Sequence, residues 1–261
     1  MKHKNRHDPI DRPTLSRLKT AARRYLELSP WQWMFESDLF GVENPETGEV
    51  GYCSVLGRNS ATPGLALYRG DIGLMEYEYR QAQELGDPFL ENSPGQNALL
   101  LRFHPRKRQT HREISPEERL LLDGRPVLPV FFDLQPGYLP VMLEHAPQAR
   151  WLIHALEQTT IVASSLHDNR DLLDHIEAGN AKLLVRRPTA RPEGGWSWKT
   201  QWVPQIDFSS LKRPVEVNQL YLRSHCRALP KQKNRWLVDV FFLSQPELGP
   251  DGVGYYPQVA H

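Results

Sequence analysis

The sequence predicts an α+β protein of two mixed subdomains, each a small, largely antiparallel sheet with packed helices. Three observations predict it. Apolar segments of strand length alternate irregularly with amphipathic helical segments, unlike the strict strand–helix rotation of a doubly wound sheet. The 22 prolines and 17 glycines in 261 residues place turns throughout the chain. The charge balance also changes sign near residue 101. Residues 31–101 hold 3 Lys/Arg against 11 Asp/Glu, whereas residues 102–235 hold 21 against 14, as expected at a boundary between units. The chain accordingly divides into a flexible tail (1–12), an N-terminal subdomain (13–110) and a C-terminal subdomain (111–261).

The elements follow in order. Pro13 after Asp11 suits a first helical turn, and Leu15, Leu18, Ala22 and Leu26 recur at helical spacing, so residues 13–28 read as a helix that Pro30 stops. Leu39, Phe40 and Val42 form one strand and "VGYCSVL" at 50–56 another. Pro45 and Gly48 between them fit a hairpin turn whose glycine takes the left-handed conformation. "GLALY" at 64–68 is a third strand, and residues 73–85 a helix. "NALLLRFHP" at 97–105 and "PVFFDL" at 129–134 read as strands. Between them, "SPEERLLLDG" at 115–124 has the Ser, Pro and acidic first turn of a short helix. Residues 147–166 form the longest helix, and Asp168 caps a further one that Gly179 closes. "KLLVRR" at 182–187 and "WSWKTQW" at 196–202 are strands, residues 217–229 a helix, and "WLVDVFFL" at 236–243 a central strand by its near-continuous apolar character.

Composition narrows the function classes. Apolar residues make up 39% and charged residues 24%, the balance of a folded chain. The longest apolar runs, such as "LVDVFFL" at 237–243, fall far short of the roughly 20 residues of a membrane-spanning helix. The N-terminal "MKHKNRHDPIDRP" lacks the apolar core of a signal peptide. Cys53 and Cys226 are the two cysteines, which argues against a disulfide framework and a thiolate zinc site and for a cytoplasmic location. GxxxxGK[ST], GxGxxG and GxSxG are absent from the sequence.

"SPWQWM" at 29–34, "DLFGVENPETGEVGYCSVLG" at 38–57 and "GLALYRGDIGL" at 64–74 together resemble an uncharacterised bacterial family of domains of unknown function. "ISPEERLLLDGRP", "QPGYLP" and "WLIHALEQT" look like its continuation, so the resemblance covers roughly residues 13–180. The C-terminal part, with "WLVDVFFL" and "YYP", is similar to a second uncharacterised domain often paired with the first. The resemblance implies no activity and no catalytic residues.

Three groups of residues could carry chemistry. In "HDNRDLLDH", His167, Asp171 and His175 recur every four residues, so a single helix would stack them as a ladder of metal ligands, with His154 on the preceding helix as a fourth. Helix capping explains the same residues without a metal. Trp196, Trp198 and Trp202 are separated by even numbers and project from one strand face. With Arg186 and Arg187 nearby, and Arg106, Lys107 and Arg108 after an earlier strand, such a face could stack on unpaired bases or meet an acidic protein. A Trp row under a helix also serves as core. Glu36, Asp38, Glu43, Glu46 and Glu49 could hold a cation, while Trp31 and Trp33 anchor the first helix to the sheet.

The expectation is therefore a non-catalytic cytoplasmic binding or adaptor protein, without cofactor and without membrane contact. Its partner would be an acidic protein, with nucleic acid as a further candidate. The alternative is a metal-dependent hydrolase built on His154, His167, Asp171 and His175.

Overall fold

The computed structural model describes residues 8–58, 62–82, 96–105, 120–174, 176–177, 180–205, 240–242, 246–249, 252–255 and 258–260. Helix α1 spans Arg12–Leu28. Its start is set by Asp11, whose carboxylate accepts the Thr14 N–H at 2.7 Å, and by a proline in the first turn. Hydrogen bonding from the Thr14 side chain, and then from its N–H, holds the Asp11 carboxyl below its ordinary range. The helix ends at Ser29, left-handed at φ 54°, whose N–H closes onto the Tyr25 carbonyl. Residues 8–11 were expected in a flexible tail. Instead Ile10 donates to the Glu144 carbonyl and the Asp8 carbonyl accepts from Ala146.

Strands β1 (Phe40–Glu43) and β2 (Val50–Leu56) form the expected hairpin, in register from Phe40 opposite Cys53 to Glu43 opposite Val50. Asn44 organises the turn by accepting the Glu46 N–H on its side chain and the Gly48 N–H on its carbonyl. Gly48 has φ +75° with open space around its Cα. Gly48→Val is therefore expected to cost about 1–2 kcal/mol through backbone strain alone. An unchanged melting temperature would show that the turn reshapes without loss.

Strand β3 (Gly64–Arg69) leads into helix α2 (Gly70–Ala82), and β4 spans Ala98–Pro105. Next come β5 (Leu120–Leu122), β6 (Arg125–Leu134) and β7 (Val141–Met142). The short helix expected over 115–124 is corrected here: residues 120–122 are extended, and 115–119 lie outside the described residues. Asp123 and Gly124, both at positive φ (48° and 72°), make the two-residue turn between β5 and β6. An Asp-Gly pair between apolar segments is a hairpin signal, and here it outweighs the helix-start signal before it.

Helix α3 runs from Ala146 to Asp168. The separate helix expected from Asp168 to Gly179 does not form, since Asp168 ends α3 and turns follow. Strand β8 (Ile176–Glu177) then pairs with β9 (Asn180–Ala190), and β9 with β10 (Trp196–Pro204). Among the described residues, two small two-stranded sheets follow: β11 (Val240–Phe242) with β14 (Gln258–Ala260), and β12 (Glu247–Leu248) with β13 (Gly254–Tyr255). Residues 240–242, expected in a central strand, thus have β14 as their partner, outside the main sheet. The helix expected at 217–229 lies outside the described residues.

The main sheet has ten strands in the order β10-β9-β1-β2-β3-β4-β6-β5, with β7 on β6 and β8 on β9. All its pairs are antiparallel except β1 with β9, where Gly41 lies opposite Val185. The α+β class holds. Strands from both sides of residue 110 lie in this sheet, where β4 pairs with β6.

Helices cover both faces. Leu18, Ala22 and Tyr25 of α1, Trp151, Leu152 and Leu156 of α3, and Cys53, Val55, Leu65, Leu67, Leu99 and Leu101 of the sheet form the larger core. On the opposite face, Leu74 and Tyr77 of α2 pack on Tyr52, Leu56, Ala66, Tyr68 and Leu100. Central strands buried on both faces read as continuous apolar runs, which is why "VGYCSVL" and "GLALY" are legible without polar alternation.

Of the two tryptophans expected to anchor the first helix to the sheet, Trp31 does so and Trp33 instead meets α3. The Trp31 ring lies 5.7 Å from Tyr25 and 6.3 Å from Phe103, joining α1 to β4. Trp33 donates its indole N–H to the Ala163 carbonyl of α3 at 3.0 Å.

Candidate functional site

The residues singled out in the sequence disperse. His154 faces Trp198 with ring centroids 5.6 Å apart, and its Nδ1 lies 3.5 Å from Glu157 Oε2. That histidine holds the Glu157 carboxyl below its ordinary range. His167 sits in the last turn of α3 with its ring on the edge of Trp33, centroids 5.0 Å apart. Thirteen residues separate the two histidines on one continuous helix, about 20 Å of rise, too far to share an ion. Asp171 is exposed in the turn after the helix, and its N–H donates to the Asn169 side chain. The ladder expected of His154, His167 and Asp171 is therefore not assembled, because α3 ends before Asp171. His175 lies outside the described residues. Among those, no three His, Cys, Asp or Glu side chains are grouped to hold a metal ion.

Arg186 and Arg187 are neighbours on β9 and so point to opposite faces. Arg186 donates to Gln158 of α3 (3.0 Å) and to Thr200 of β10 (2.7 Å), and its burial lowers its pKa. Arg187 is ion-paired with Glu43 of β1. They form no common anion-binding surface. Trp198 and Trp202 pack against the core beneath α3. Trp196 is half-buried near the start of the same strand. Arg106, Lys107 and Arg108 lie outside the described residues.

The acidic run of the opening segment also divides. Glu43 meets Arg187, and Glu46 accepts from Arg150 at 3.0 Å. The Glu36 carbonyl accepts two buried hydroxyls, Ser54 at 2.7 Å and Tyr77 at 3.1 Å. That double anchor fixes the loop before β1, and the loop carries Asp38 into a groove.

The groove encloses about 360 Å³ between the loop before β1, helix α2, the turn after α3, the start of β9 and the end of β10. Asp38, Glu78 and Asp174 supply three carboxyls to its wall and Lys182 one ammonium. Leu39, Leu173, Leu183 and Tyr77 supply apolar surface. Burial pushes the Asp38 carboxyl above its ordinary range. The Phe35 N–H that it accepts at 2.8 Å opposes this, and the neighbouring Asp174 carboxylate adds to it. Burial also raises Glu78. Two half-buried, perturbed carboxyls in one concave surface make this groove a candidate binding site.

The direction of these shifts sets a pH dependence. A carboxyl with a raised folded pKa binds its proton more tightly when folded. Its contribution is fully present below the ordinary carboxylate range, about 4, and is lost as pH rises through the raised folded value. Asp38→Asn with Glu78→Gln removes that loss. The double variant is expected to gain stability over the native protein as pH rises from about 4 towards neutral. Urea denaturation across that range checks it; parallel pH profiles for the two proteins would mean that both carboxyls are fully solvated.

Of the groove residues, only Asp38 was legible in the sequence, as one member of an acidic run. Glu78, Asp174 and Lys182 come from segments scattered over a hundred residues, with no shared motif.

Fold and groove together define a class: an α+β protein with a ten-stranded, mainly antiparallel main sheet, helices on both its faces, and a mixed acidic and apolar groove at the β9–β10 side. The chain belongs to the family of a domain of unknown function, DUF7309, which matches residues 16–186. Every groove residue except Gln205 lies within that match. No curated protein and no solved structure matches the chain. Among the described residues, no helix is long and apolar enough to cross a membrane.

Proposed function

We propose that this is a non-catalytic binding or adaptor protein whose groove takes a segment of a partner carrying an Arg or Lys side chain. One observation carries the reading: three carboxyls from three separate segments, Asp38, Glu78 and Asp174, line one groove beside apolar walls. An Arg or Lys stem packs on Leu39, Leu173 and Leu183, and its charged head meets carboxyls already partly stripped of water. A cytoplasmic setting fits the buried free thiol of Cys53. The acidic protein expected on the basic half, and nucleic acid as the further candidate, receive no support from Arg186 and Arg187, which are engaged by Gln158, Thr200 and Glu43.

The test is isothermal titration with a short peptide holding Arg between apolar residues. A Glu-rich peptide and a single-stranded oligonucleotide serve as comparisons. Saturable binding of the Arg peptide is expected. It should weaken about tenfold or more in Asp38→Asn/Glu78→Gln, the size of one lost charge-assisted hydrogen bond. Equal affinity in native and variant protein, or binding of the acidic peptide or oligonucleotide alone, overturns the proposal.

A further inference from the structure

We draw no further inference here: the strongest candidate, the edge of β10 at one end of the ten-stranded sheet, carries nothing because nothing among the described residues shows what covers it.

Discussion

Asp133→Ala is expected to destabilise the protein by about 3–5 kcal/mol, the cost of breaking a buried ion pair from one side. Asp133 on β6 is 3% exposed and Arg69 at the end of β3 is 12% exposed, with Nη1 and Oδ1 2.9 Å apart. The guanidinium also donates to the Asn97 side chain at 2.9 Å and to the Leu134 carbonyl at 2.6 Å. It thus ties β3 to β6 across β4, which lies between them in the sheet. Removing the carboxylate leaves the positive charge desolvated and short of its counter-charge. Against a total stability of about 5–15 kcal/mol, that is a large fraction. Melting should fall by roughly 10 °C. Arg69→Met/Asp133→Leu, which removes both charges, should be less damaging than Asp133→Ala, because no charge is left buried without its counter-charge and only the Asn97 and Leu134 acceptors lose a donor. A single variant that melts within a degree or two of the native protein would show that water reaches the pair.

Gly64→Ala is expected to be comparably severe, for a steric reason. Gly64 opens β3, opposite Leu56 on one side and Arg102 on the other. A Cβ there would stand 1.9 Å from the Leu101 carbonyl oxygen, and a backbone atom cannot swing aside as a side-chain tip can. The strands must part or shift. Either movement strains the hydrogen bond from the buried Tyr25 hydroxyl to the Gly64 carbonyl, 2.6 Å long. A cost of about 3 kcal/mol or more is expected, at the upper end for overpacking. Gly124→Ala is the comparison: it meets nothing within 4 Å and carries only the strain of φ +72°, so about 1 kcal/mol. Equal losses in the two variants, measured by urea denaturation, would refute the close-approach argument.

The sequence by itself determined the local features. Asp11 and the following proline start α1, Pro45 and Gly48 mark the β1–β2 turn, and doubly buried strands show as unbroken apolar runs. Each depends on residues within a few positions of one another, so steric and hydrogen-bonding preferences suffice to read it. Where two local signals compete, the reading fails. "SPEERLLLDG" carries both a helix start and an Asp-Gly turn, and pairing of Leu120 with Val127 decides for the strand.

Only the tertiary structure decided the rest. The parallel pairing of β1 with β9 joins Gly41 to Val185, and no pattern within either strand names the other. That pairing joins β8, β9 and β10 to a sheet that the pairing of β4 with β6 already carries across residue 110. Charge asymmetry reports which residues meet water, and it does not report which strands share hydrogen bonds. The alternation of β9 sets Arg186 and Arg187 on opposite faces, where Gln158 and Glu43 engage them. The groove has the same origin. Asp38, Glu78, Asp174 and Lys182 meet because a loop, a helix, a turn and a strand converge. Burial at that convergence then raises the Asp38 and Glu78 carboxyls. Desolvation is a property of the packed surroundings, so neither the site nor its electrostatics exists until those distant segments come together.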